Sequence, residues 1–478
     1  MEQNSQLAWP TYKNFRNAQK QHVHGYEYVE IEPYNKTDTL YEFDIGGNEP
    51  LAFGVSTGFR VEGKFQVKKG ADDWTAFTAA DAKTVSLQPN WFEHYLKNIH
   101  VFYVNQQITA DDMPPNIDPY VNTFIYAHMD KNIKKLLCME ACHPGNAVSV
   151  DRNDFKATGL NSTATNTWTK YAEHIAKDKI AFMYTPLQFP FFQDVNYVYG
   201  PDGGYNLLPI QALGRMQIRV YFKESSSVLF NGAVATNEYR FLLTKFTLLL
   251  KELRMSPTAG RQLSAYKGTH YYRGLTKIGT CYNFGEGQFS QRCTISNLDF
   301  PEGVFIFCVD KKVLSGTAMF KELSADGPFL DGNISSVDVH FNGQHFFVKN
   351  PTFGSLENYQ LRREKFAKMV DRGMFGMRMD PNKLKFERQG TNTDWAFTSV
   401  WIDFTESGPH TRLQPVTSDQ TYITNKPGEL VLVINFNAPD GAKDVTYVVM
   451  PYHTDFNMQL DMRTKKFSPV YNRNKNIN

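Results

Sequence analysis

The chain has 478 residues, 51 of them basic and 49 acidic, for a formal net charge of +2. No block of one sign occurs, so the electrostatic footprint of a protein that wraps nucleic acid is missing and direct nucleic-acid binding is not expected. Five unevenly spaced Cys argue against a secreted disulfide frame, and neither the polar start MEQNSQLAWPTYKNF nor any later apolar run has the makings of a signal peptide or membrane span.

The length suits two all-β domains of roughly 200 to 250 residues each. A content of 37 Phe and 25 Tyr favours strands, where aromatic side chains fit a pleated, half-buried surface. Residues 1–39 read as a polar N-terminal arm. The first strand is expected at 40–45 (LYEFDI), closed by Gly46 and Gly47, and residues 51–67 alternate for long enough to form one strand or two. At 91–104 the apolar spacing changes from helical to alternating at Asn98, which predicts a short helix feeding a strand. Residues 119–137 carry apolar side chains at helical spacing behind Pro119 and predict a helix. Strands resume at 180–184, 213–222 and 239–253. Periodicity does not separate strand from helix in the last of these, YRFLLTKFTLLLKEL.

Ser256 and Pro257 end that run, and Pro cannot donate to a strand ladder. The strand pattern then begins again at 293–296, 304–309 and 337–341. Asn342-Gly343 followed by 345–348 is a hairpin signal. Further strands are expected at 397–404, 430–436 and 445–450. Residues 105–179 and 350–392 are too long for structureless loops and read as insertions with helical pieces, including 355–372. The expected organisation is an arm (1–39), a first jelly roll with a helical insertion (40–257), a second with its own insertion (258–461) and a C-terminal tail (462–478). Ile218, Val220 and Phe222 should point into the first core, and Val304, Ile306 and Cys308 into the second.

Candidate chemistry is sparse. His22 and His24 have the spacing of two metal ligands on one strand face, but Glu27 and Glu30 do not complete a cupin pattern, and a solvated arm is the simpler reading. Cys138, Cys142 and His143 lack a second ligand group at finger spacing and read as buried thiols with a neighbouring His. There is no Gly-x-Ser-x-Gly elbow and no phosphate loop, and Gly285-Glu286-Gly287 lacks a strand-turn-helix context. Asp403 and Glu406 have the residue types of a glycosidase acid/base pair, with nothing in the sequence to make them face one another. The Asn35, Asn161 and Asn333 triplets fit the glycosylation pattern but need a secretory route. No catalytic, cofactor or metal residue is therefore expected, and His94, Asp403 and Glu406 are expected to matter only for stability or assembly.

Several segments carry a family resemblance. Residues 91–105 (WFEHYLKNIHVFYVN) followed by 119–123 (PYVNT) resemble the helix, strand and Asn turn that precede a helical insertion in double jelly-roll capsid proteins. Residues 208–209, 216–222, 226–230 and 239–255 resemble the late strands of a first jelly roll. Residues 300–309, 314–317 and 337–344, with 403–406, 428–436 and 445–452, are similar to the second jelly roll of capsid proteins from Polinton/Maverick elements, adintoviruses and polinton-like viruses. The resemblance implies an all-β fold of two tandem eight-stranded antiparallel jelly rolls and a major capsid protein without enzymatic activity. It further implies homotrimers forming pseudo-hexagonal capsomers of an icosahedral shell around a double-stranded DNA genome. Partners would be the chain itself, neighbouring capsomers, and penton and cement proteins; the location would be the virion capsid, after synthesis in the host cytoplasm. Long insertions would form outer towers, while the arm and a tail carrying Arg463, Lys465, Lys466, Arg473 and Lys475 would reach beneath the shell. Alternatives are a minor vertex or spike protein and a carbohydrate-binding or carbohydrate-active β-sandwich.

Overall fold

The computed structural model describes residues 23–47, 51–53, 58–78, 85–87, 91–103, 105–107, 179–186, 206–208, 210, 214–223, 229–231, 237–258, 261, 265, 269–272, 280–283, 288–298, 303–310, 329–330, 334–345, 387–389, 395–397, 399–403, 428–436, 445–452 and 458–469. The expected helices at 119–137 and 355–372 lie outside these residues.

The strands of the first half are β1 (Val23–Ile31), β2 (Leu40–Ile45), β3 (Leu51–Phe53), β4 (Gly58–Lys69), β5 (Leu96–Tyr103), β6 (Ile180–Tyr184), β7 (Asn206–Leu208), β8 (Met216–Phe222) and β9 (Asn237–Met255). They pair antiparallel into two sheets, β6-β4-β9-β3-β7 with β1 added on β9, and β2-β8-β5. Alternation explains the second sheet directly. Met216, Ile218, Val220 and Phe222 are buried while the residues between them are half-exposed, and the buried set joins one core with Phe43, Phe59 and Val61.

The expected short helix feeding a strand is present, with the switch at Leu96 instead of Asn98, so that α1 (Trp91–Tyr95) runs straight into β5. Trp91 and Phe92 are fully buried. Lys223 N–H donates to Tyr95 O at 2.8 Å and so satisfies a carbonyl that a helix end leaves open.

The ambiguous run is a strand, β9, and its register explains why it was hard to read. Phe241 and Phe246 are five residues apart, which in an uninterrupted strand would place them on opposite faces. A bulge between Leu243 and Lys245 turns both into the core. Gly63 lies opposite, and a Cβ there would meet the Phe241 ring at 2.4 Å and Leu242 O at 2.6 Å.

One expectation is corrected at the N-terminus. Among the described residues the first strand begins at Val23, not Leu40, and β1 pairs with residues 248–255 of β9. Its sequence, VHGYEYVEI, alternates but is polar and mostly exposed, as a strand at a sheet edge is apt to be.

The second half contains β10 (Thr269–Tyr272), β11 (Thr280–Asn283), β12 (Ser290–Leu298), β13 (Gly303–Asp310), β14 (Ile334–Phe341), β15 (Gln344–His345), β16 (Ser399–Asp403), β17 (Gly428–Phe436), β18 (Val445–Tyr452), β19 (Met458–Asp461) and β20 (Lys466–Pro469). Two facing sheets, β11-β18-β13 with β16 on β13, and β12-β17-β14-β15, enclose a second core. Val304, Ile306 and Cys308 point into it together with Val337, Val339 and Leu432. Cys293 and Cys308 are both buried there, and burial pushes the Cys293 thiol up to about 12. Among the described residues, no strand ending by Met255 pairs with one that begins after it.

The chain's last described segment returns to the first half. Strand β19 pairs with β10 and β20, while Leu460, Met462 and Phe467 join the first core. Gln106 imitates a backbone partner for this hairpin, its amide donating to Phe467 O at 2.8 Å and accepting from Phe467 N–H at 3.1 Å. Lys465 and Lys466, read from the sequence as part of a basic tail, lie in this packed hairpin; Arg473 and Lys475 are outside the described residues.

Candidate functional site

The residues weighed for chemistry are not brought together by the described structure. His24 is exposed on β1, while His22 lies outside the described residues. Glu27 is ion-paired with Arg254 across the β1–β9 ladder. Glu30 pairs with Lys245 at 2.8 Å and accepts from the Thr247 hydroxyl at 2.6 Å. Asp403 ends β16 opposite Gly303. Cys138, Cys142, His143, the 285–287 Gly pair and Glu406 lie outside the described residues, as does the side chain of His94 on α1. The most deeply buried carboxylate among the described residues is Glu93, 1% exposed, which accepts from the Tyr184 hydroxyl in an aromatic surround and serves the packing of α1.

What the fold presents instead is surface suited to contact. Register places Tyr26 opposite Leu253 and Tyr28 opposite Lys251, on the outer face of the first sheet. The Lys251 ammonium sits 4.0 Å from the Tyr26 ring and 5.7 Å from that of Tyr28, buried beneath two tyrosines that are themselves 59% and 45% exposed. Among the described residues β1 pairs with β9 alone, so its other edge is a template for an added strand. Exposed Tyr side chains are the kind enriched at interfaces, and the cation–π contact with Lys251 holds these two in place.

Further along the same outer face lies a lattice of alternating charge. Arg60 contacts Glu62 at 2.5 Å and Glu30 at 3.6 Å, and Lys179 reaches Glu62 at 2.6 Å. The hydrogen bond from Lys179 holds the Glu62 carboxyl below its usual range, the one from Lys245 does the same for Glu30, and the bond to Glu62 raises Arg60.

A third feature was not singled out from the sequence. On the outer face of the second jelly roll, His340 and His345 are directly opposite one another across the β14–β15 turn. Asp338, two residues before His340, lies beside both, with carboxylate-to-Nε2 distances of 3.2 Å to His340 and 2.9 Å to His345. The signal was available: a two-residue Asn-Gly turn fixes the register, and counting outward from it pairs these two histidines.

No family model matches the sequence, and no curated protein matches it. Solved structures do. A chain of the Sputnik virophage structure is 10% identical over 94% of this chain and 89% of its own, with a TM-score of 0.54. The Faustovirus major capsid protein is 10% identical over 90% of this chain and 89% of its own, with a TM-score of 0.51. The mavirus major capsid protein, also 10% identical, gives 93%, 90% and 0.49. At such identities the likeness is one of fold. The fold so defined is the double jelly roll, as the sequence resemblance implied. No helix among the described residues is long and apolar enough to cross a membrane.

Proposed function

We propose that the chain is a viral major capsid protein, a structural building block without catalytic activity. The observation that carries this reading is the pair of two-sheet cores in tandem, in the fold that the Faustovirus protein also has. Two jelly rolls in one subunit, divided near residue 257, give two similar wedges. Three subunits about a threefold axis then give six, a pseudo-hexagonal block that tiles an icosahedral shell around a double-stranded DNA genome.

The surfaces suit such assembly. The near-neutral charge lets neighbouring blocks approach without strong mutual repulsion, and the aromatic face of β1 offers a strand edge and large rigid side chains to an adjoining subunit. Static light scattering on the purified chain tests the oligomer. A mass of three chains is expected; a monomer that persists at high concentration contradicts it. Hydrolase or glycan-binding activity removed by Asp403→Ala would contradict the structural role.

A further inference from the structure

We propose that Asp338, His340 and His345 form a binding site for one divalent transition-metal ion of the zinc class. The site is independent of the capsid reading and rests on the hairpin alone. Each residue offers one ligand atom, and the three atoms lie within 4.8 Å of one another. Tetrahedral zinc with bonds of about 2.0–2.1 Å needs neighbouring ligand atoms roughly 3.3 Å apart, and the two carboxylate-to-imidazole distances, 3.2 and 2.9 Å, lie just below that separation, so a small outward shift of the exposed His345 ring admits the ion.

The hairpin is built rigidly enough to preorganise the ligands. Asn342 and Gly343 both have positive φ, 50° and 77°, as a two-residue turn of this hand requires. The turn is also tied to β17, where Asn342 N–H donates to Glu429 O and Asn342 Oδ1 accepts from Glu429 N–H, both at 2.9 Å. Close approach here excludes a side chain at Gly428, whose Cβ would meet the Phe341 ring at 2.3 Å and Asn342 Oδ1 at 2.6 Å.

The electrostatics call for a cation between these groups. Asp338 Oδ1 is buried without a hydrogen-bond partner and lies 2.9 Å from His345 Nε2, so a shared cation would satisfy both atoms. The imidazole rings are 4.4 Å apart between centroids, a spacing at which two protonated rings would repel. Val433 and Val431 stand opposite Asp338 and His340 on β17, so the neighbouring strand supplies no competing charge at these positions. Two imidazoles and one carboxylate select zinc, cobalt, nickel or copper over calcium or magnesium, which take all-oxygen sites. Water completes the coordination on the exposed side, where His345 is half-exposed.

The test is titration of the chelator-treated full-length chain with Co²⁺, followed by visible absorption, and with Zn²⁺, followed by calorimetry. One ion per chain is expected, with affinity falling at least about tenfold in His345→Ala and in Asp338→Asn, while His24→Ala binds as the unaltered chain does. Because His345 sits at an exposed turn, His345→Ala should melt at the same temperature as the unaltered chain without metal, and Zn²⁺ should raise the melting temperature of the unaltered chain only. Absence of binding, or binding that survives His345→Ala and is lost in His24→Ala, overturns the proposal. If His345→Ala is less stable without metal, His345→Gln takes its place, and undiminished binding in that variant also overturns it.

Discussion

The two jelly rolls share one architecture and fill it differently. The first core is aromatic: Trp91 from α1 stands edge-on to Phe65, Phe92, Phe182 and Phe241, and Phe59 stacks on Phe246 with centroids 4.6 Å apart. The second is built from Val, Ile, Leu and two Cys, with Phe341, Phe436 and Tyr447 as its aromatic members. Small branched residues fill a sandwich whose sheets lie directly against one another. In the first, a helix and the C-terminal hairpin both contribute to the core, and large rings occupy the volume they enclose. The same topology is thus reached with different packing units, which is why 10% identity to solved structures is compatible with a shared fold.

The sharpest way to break this comparison is truncation. Trp91→Ala should cost about 4–5 kcal/mol by denaturant titration, the upper end for a buried aromatic, because several rings lose one shared partner. Ile306→Val in the second core should cost only about 1 kcal/mol, since one methyl is lost from a core of small units. Equal losses from the two changes would show that the cores do not differ in the way their composition implies.

Next in size is Phe467→Ala. If the C-terminal hairpin is part of the first core, this change should cost about 3 kcal/mol. Gln106→Ala should cost about 1 kcal/mol through the two bonds it makes to the same residue. A negligible effect from both would place the hairpin outside the folded unit.

Glycine supplies a parallel between the halves. Gly63 faces the Phe241 ring and Gly428 the Phe341 ring, each too close for a Cβ. Gly63→Ala and Gly428→Ala should each cost about 1–3 kcal/mol by overpacking, and a neutral outcome at one site would show that its ring can move aside.

Much of this was legible in the sequence. Alternation gave the buried triplets Ile218, Val220, Phe222 and Val304, Ile306, Cys308, because each strand has a single core-facing side set by period two. Asn342-Gly343 gave the hairpin. Other features were less legible, for identifiable reasons. Strand β1 is an edge whose tyrosines and glutamates mimic a polar arm. The strand at β9 was expected, but the bulge within it breaks the period that would have separated strand from helix. The packing of Phe467 on Tyr103 depends on a return across the whole chain that no local pattern encodes. The Asp338, His340, His345 cluster emerges only when the turn register is carried outward residue by residue.

The smallest expected effect is acid sensitivity of the first outer face. Glu30 and Glu62 have carboxyls held below the ordinary value of 4.5, so their contribution is fully present above that value and is lost as pH falls through the lower folded-state values. Stability should therefore decline as pH drops below about 4.5, and Glu62→Gln should flatten the decline, modestly because the cations of the lattice are solvent-exposed. An unchanged slope in that variant would show that the lattice does not contribute.

The central claim is that two such cores in one chain serve to make a six-wedged block from three chains. Electron microscopy of the purified protein in negative stain tests it most directly. Particles of hexagonal outline with threefold symmetry are the predicted result; isolated double sandwiches, or rings of fivefold symmetry, would contradict it.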